Sequence, residues 1–180
     1  MQTHIFAEGS NTTADTTDLS VKEYYQGLFG MVAGLHDELA EFTDSHLHVL
    51  SEEYGVIDGD KIFSEVSNEV PEPVGSEEMV EQAKAELLDA ADDADGMVIL
   101  LSTDIFQKTV GEVWNNLVEA AKPGSIWCLG AARSSLDALD LDALESKGCT
   151  VLTYQRVGVA RIGTETRQEL LDAVKQKATQ

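Results

Sequence analysis

Residues 125–135 read S-I-W-C-L-G-A-A-R-S-S, and this stretch decides the fold class. Ile126-Trp127-Cys128-Leu129 is an apolar run of strand length. It ends at Gly130, and Ala131-Ala132-Arg133 leads to Ser134 and Ser135, which can cap a helix starting at Leu136. A buried strand passing through a small-residue turn into a helix N-terminus is the repeating half of an open α/β sheet. Such sheets bind ligands beyond the carboxyl ends of their strands, where helix N-termini meet the ligand. The stretch says where a site would lie but not which reaction, if any, takes place there.

The same alternation extends in both directions. Upstream, Met97-Val98-Ile99-Leu100-Leu101 is apolar throughout, as a strand covered on both faces should be, and it stops at Ser102-Thr103-Asp104. A helix over 106–121 follows, with Phe106, Val110, Val113, Trp114, Leu117 and Ala121 facing inward. Earlier still, Ser76 caps an acidic helix over 76–91, and His46-Leu47-His48-Val49-Leu50 is a strand. Ser20 with Glu23 forms a capping box that opens a helix running to Phe42, and His4-Ile5-Phe6-Ala7 is the first strand. Downstream come a helix through Leu136, Leu139 and Leu144, a strand over 149–154, and a last helix capped by Thr164. Residues 157–162 extend that strand or form an edge strand. The pattern predicts an α/β three-layer sandwich around a mostly parallel sheet of about five strands, Rossmann-like in kind. It forms a single domain over 1–180, with a hairpin insertion near 55–75. There Val56-Ile57 and Ile62-Phe63 flank the turn signal Asp58-Gly59. Residues 64–75 read as an exposed connection.

The charge balance narrows the function classes. The chain has 33 Asp plus Glu against 12 Lys plus Arg, a net charge of −21, yet 43% of it is hydrophobic and periodic, so it folds. Such an acidic surface suits a salt-rich cytoplasm and points to a haloarchaeal source, since at molar salt the Debye length is about 3 Å and self-repulsion is screened. Residues 97–163 are nearly neutral, at −1, and hold three of the four arginines, which suggests burial, a partner face or an anion site. Two well-separated cysteines indicate neither a disulfide framework nor a zinc site. Neither a signal peptide nor a membrane span is read, so a cytoplasmic location is expected.

Parallel strands gather four loops at one edge of the sheet: Glu8-Gly9-Ser10, the stretch from Ser51 to Tyr54, Ser102-Thr103-Asp104, and Gly130 to Ser135. Arg156, beyond the last strand, joins them. The candidate ligand-binding residues are Ser10, Ser51, Tyr54, Ser102, Arg133, Ser134 and Arg156, the mixture a polar or anionic small molecule requires. Hydroxyls at these positions are also what helix caps need. Arg133 beside a helix N-terminus fits a phosphate or carboxylate, or a salt bridge to a nearby acid. Glu52 and Asp104 are the candidate acid and base. The turn lacks the spaced glycines of a dinucleotide fingerprint and the Gly-Lys-Ser/Thr of a phosphate loop, and no cofactor is indicated. His46 and His48 share one strand face, but no third ligand is evident and no metal site is expected.

The segment Leu50-Ser51-Glu52-Glu53-Tyr54-Gly55 resembles the leucine-serine-any-any-tyrosine-glycine signature of a group of small α/β proteins. This group includes the peroxide-stress DNA-binding family and the uracil-glycosylase-like domain of archaeosine synthases. The upstream Tyr25-Gln-Gly27-Leu-Phe29 is similar to that group's aromatic-glycine-aromatic helix segment, with different spacing. Where the group has a basic or cysteine-containing turn after its first strand, this chain has Glu8-Gly9-Ser10. The resemblance implies a uracil-glycosylase-like form of the sandwich, in which Ser51, Tyr54 and Gly55 border a pocket for a nucleobase or nucleotide.

Two functions compete. One is a nucleotide- or nucleobase-binding protein, extending to hydrolysis of an N-glycosidic bond. In it Arg133 or Arg156 holds the anion, Tyr54 stacks on the base, and Glu52 or Asp104 acts on water. The other is a non-catalytic interaction subunit that buries the charge-poor outer face of the 106–121 helix (Gln107, Thr109, Asn115, Asn116) in a homodimer or against another protein. Duplex DNA is a third, disfavoured partner, because the chain carries no basic stripe.

Overall fold

All six positions of β5 (Ile126–Ala131) are buried, as are all five of β4 (Gly96–Leu100), which runs parallel beside it. These strands belong to the six-stranded sheet of a computed structural model that describes residues 1–155 and 163–179. β1 (Gln2–Glu8) lies parallel between β4 and β2 (Asp44–Ser51), and β6 (Thr150–Gln155) is parallel to β5. The short β3 (Gly55–Asp58) closes the other edge antiparallel to β2, giving the order β3-β2-β1-β4-β5-β6. Five strands therefore point the same way, and their carboxyl ends share one edge.

Alternate side chains go to opposite layers, as the two-residue period of a strand requires. Phe6, Met97, Ile99, Trp127 and Leu129 pack under α4 (Ser76–Asp93), α5 (Thr103–Lys108), α6 (Val110–Ala120), α7 (Arg133–Asp137) and α8 (Leu141–Glu145). Ile5, Ala7, Leu47, Val49, Val98 and Cys128 pack against α1 (Val21–Tyr24), α2 (Phe29–Ala40), α3 (Phe63–Glu69) and α9 (Thr164–Ala178). This is the three-layer α/β sandwich, with six strands rather than five.

Several elements depart from the sequence reading. The helix expected from Ser20 to Phe42 is two helices, broken where Gly27 takes φ +67°. Both halves keep their apolar residues on one side, so periodicity does not reveal the break. The helix over 106–121 is likewise α5 and α6, split at Thr109, which is fully buried and donates its hydroxyl to the Ile105 carbonyl at 2.6 Å. α7 begins at Arg133, so Ser134 and Ser135 lie inside its first turn and do not cap it. The hairpin forms between β2 and β3 and not across Asp58-Gly59. Ile57 pairs with Val49, while Phe63 opens α3 and stacks on Tyr24 with ring centroids 3.6 Å apart. The stretch 64–75 is therefore partly helical, with Val66 buried. The expectation for 157–162 falls outside the described residues, as does Arg156.

Candidate ligand-binding site

After β1 the chain passes to α1 and α2 on one face of the sheet; after β4 it passes to α5 on the other. Loops leaving neighbouring parallel strands toward opposite faces open a crevice between them, the place where open α/β sheets take ligands. A cavity of about 800 Å³ occupies that crevice and reaches the end of β2. This volume lies within the range of small-molecule sites.

The wall nearest β1 depends on Gly9. A methyl group there would stand 2.7 Å from Cζ of Tyr25, so the bare backbone lets the tyrosine ring lie across the turn. The Gly9 N–H donates to the Leu50 carbonyl at 3.1 Å, tying the ends of β1 and β2 together. Burial pushes the Tyr25 phenol up to about 12, with the nearby Ser51 opposing it. It is thus a neutral phenol at physiological pH. The Ser51 oxygen accepts the backbone N–H groups of Glu53 and Tyr54, each at 3.2 Å. The Ser10 hydroxyl donates toward the carbonyls of Thr12 and Gln26, at 2.7 and 2.8 Å, and so holds the loop after β1 against the chain after Tyr25. On the opposite wall Ser102 donates to Oε1 of Glu8 at 2.6 Å.

The lining combines the rings of Tyr25 and Phe29, apolar Leu50, Met79 and Ile105, and the amide side chains of Asn11 and Gln26. Four carboxylates join them: Glu8, Glu52, Glu53 and Asp104. Among the described residues lining the cleft there is no lysine or arginine. The arrangement therefore suits a planar, partly apolar ligand that donates hydrogen bonds.

Five of the residues singled out from sequence line this cleft: Ser10, Ser51, Ser102, Glu52 and Asp104. Asp104 sits at the mouth, 71% exposed, and pairs with Lys108 at 3.0 Å. Tyr54 is not among the lining residues. It packs edge-on against Phe63 at 5.2 Å, and its hydroxyl is pushed up by burial and then by the charge of Glu53. Arg133, 77% exposed, reaches Asp137 at 3.8 Å, and the exposed Ser134 stands beside it; neither lines the cleft. The reason is strand order: β4 separates β5 from β1, which puts α7 one strand away from the crevice. Glu8, Tyr25, Gln26 and Phe29 take more prominent places than sequence reasoning assigned them. The available signal was Gly27, a helix breaker just after Tyr25-Gln26.

The other candidate features change in the folded chain. Parallel register sets His4 opposite His46, so three imidazoles gather where sequence shows two. Among the described residues no group of three or more His, Cys, Asp or Glu side chains is disposed to hold a metal ion. Both cysteines are buried and free, and burial pushes the Cys128 thiol up to about 12, so it is no nucleophile. The charge-poor helix face is interrupted: Thr109 is buried, Gln107 donates to Ser135 at 3.3 Å, and exposed Glu112 and Glu119 flank Asn115 and Asn116.

No helix among the described residues is long and apolar enough to cross a membrane. No family model, curated protein or solved structure matches the chain.

Proposed function

We propose that this cleft binds a nucleobase or nucleoside, and that the reaction it is equipped for is hydrolysis of an N-glycosidic bond. The observation that carries the reading is the crevice at the ends of β1, β2 and β4, where two aromatic rings stand among carboxylates with no described basic side chain. A base ring fits against Tyr25 and Phe29, and its amino and imide N–H groups find acceptors in Asn11, Gln26 and the carboxylates. A phosphate would stand among four carboxylates, so the unphosphorylated ligand is favoured over the nucleotide.

In the reaction, one carboxylate takes a proton from water as the water oxygen bonds to the anomeric carbon. The bond from that carbon to the base nitrogen breaks, the departing nitrogen takes a proton from solvent water, and the carboxylate returns its own proton to solvent, so that one water is consumed overall. Positive charge develops on the sugar in the transition state, and the surrounding carboxylates stabilise it. Glu8, held by Ser102, is the best-oriented of them, with Glu52 at the rim.

A thermal-shift series in molar KCl, with nucleobases, nucleosides and their monophosphates, tests the reading. Protection by a base or nucleoside that is lost in Glu8→Gln supports it, and chromatography for released base then tests turnover. Absence of protection by any of these ligands overturns it.

A further inference from the structure

Beneath the C-terminal half of α4, a column of rings runs across β1 and β2: Phe6 on His48 at 4.2 Å, then His4 at 5.2 Å from His48 and 4.8 Å from His46. His4 Nε2 lies 2.8 Å from Oδ1 of Asp93, and His48 Nδ1 lies 3.3 Å from Oε1 of Glu86. The inner nitrogens, His4 Nδ1 and His48 Nε2, are 2.9 Å apart. A carboxylate only accepts, so both outer nitrogens carry hydrogen. Two neutral rings would then bring two lone pairs face to face across 2.9 Å, and two charged rings would oppose two N–H groups. The contact is a hydrogen bond only when the pair holds three ring hydrogens.

We propose that His4 and His48 share a single positive charge that clamps α4 to the sheet between Asp93 and Glu86, and that a further proton releases the helix. The groups facing the pair are His46 from β2 and Glu86, Asp89 and Asp93 from α4, around a cavity of about 190 Å³; the adjoining β4 residue, Met97, is apolar. The backbones of β1 and β2 are fixed in the sheet, so repulsion between two charged rings is relieved toward α4. Burial, then the charge of His48, holds the His4 imidazole down to about 4, with Asp93 opposing them.

The same helix frames the cleft. Met79 lines it, the Gly75 N–H donates to the Glu52 carbonyl at 2.9 Å, and Gln82 accepts the Val56 N–H at 2.9 Å. A shift of α4 therefore reaches the Glu52–Glu53 rim. An effect on ligand presupposes binding in the cleft, whereas the clamp stands without it.

Nitrogen-15 spectra of the histidine rings test the proton count directly. Three ring hydrogens shared by His4 and His48 at neutral pH are expected; two or four would overturn the proposal. Hydrogen exchange, corrected for its intrinsic pH dependence, then compares α4 with α9. From pH 7 to pH 5, residues 85–93 should lose protection by about tenfold relative to α9 in the wild type, and by much less in His4→Gln or His48→Gln. No loss in the wild type, or an equal loss in the variants, overturns it. If neither variant folds, the wild-type proton count and exchange profile decide between the same outcomes.

Discussion

Ser102 and Glu8, 94 positions apart in sequence, meet at the ends of the adjacent parallel strands β4 and β1, with the serine hydroxyl donating to the carboxylate at 2.6 Å. The bond joins two loops that leave the sheet toward opposite faces, so it spans the crevice the ligand would enter. A hydrogen bond to a charged group contributes about 1.5–3 kcal/mol, and this one is partly solvated, so Ser102→Ala should cost about 1–2 kcal/mol. Guanidinium denaturation measures that cost. The variant should also lose much of any protection a nucleobase confers. An unchanged midpoint would mean the contact is not stabilising in solution.

Gly9 is the second test, because Tyr25 rests on it. Adding a methyl group at 2.7 Å from the ring forces the tyrosine away, and overpacking of this kind costs about 1–3 kcal/mol. Gly9→Ala should therefore be destabilised, and much less so in a Tyr25→Ala background. A double-mutant cycle by urea denaturation reads this coupling; additive effects would show that the ring does not lie over the turn.

The acid response has two separate windows. His4 titrates at about 4 in the folded chain against 6.5 ordinarily, so between those values the unfolded chain holds more protons and stability falls as pH falls. Below 4 the effect of this lowered value is complete, at about 3 kcal/mol or less. Asp60 and Asp95 act lower. Burial raises each, but Lys22 and His36 for Asp60, and Lys122 and the Gln2 N–H for Asp95, outweigh it and hold both below the usual carboxylate range. Their stabilisation is present above the ordinary value of 3.8 and is lost as pH falls through the folded values beneath it. Urea titrations of wild type and His4→Gln should differ in pH slope between 6.5 and 4. A difference confined to pH below 4 would contradict the assignment.

Salt supplies a further prediction. With a net charge of −21, self-repulsion should weaken as the Debye length falls from about 10 Å at 0.1 M to about 3 Å at 1 M. The melting temperature should rise steadily with KCl across that range, and more than for Glu→Gln variants of the exposed face of α4. A flat response would show that the acidic surface costs the folded state little.

Much of this was legible in the chain itself. Apolar runs such as Met97-Val98-Ile99-Leu100-Leu101 and Ile126-Trp127-Cys128-Leu129 read as buried parallel strands because helices cover both their faces. The alternation of strands with helices specified the layered architecture. It also marked the strand-end loops at Glu8-Gly9-Ser10, Ser51-Glu52 and Ser102-Thr103-Asp104, because a strand's carboxyl end is a local property of the sequence.

Which of those loops meet was not local. Strand order rests on pairings between segments tens of residues apart, and only the order β2-β1-β4 brings Glu8, Ser51 and Ser102 to one cleft while leaving Arg133 outside it. The same holds for Tyr25 in place of Tyr54, and for His4 beside His46 and His48, since parallel register sets which side chains face each other. The chain's own pattern decided that each strand and each apolar helix face would be buried. Long-range packing decided against what, because burial rewards many partners almost equally and only the assembled sheet selects among them.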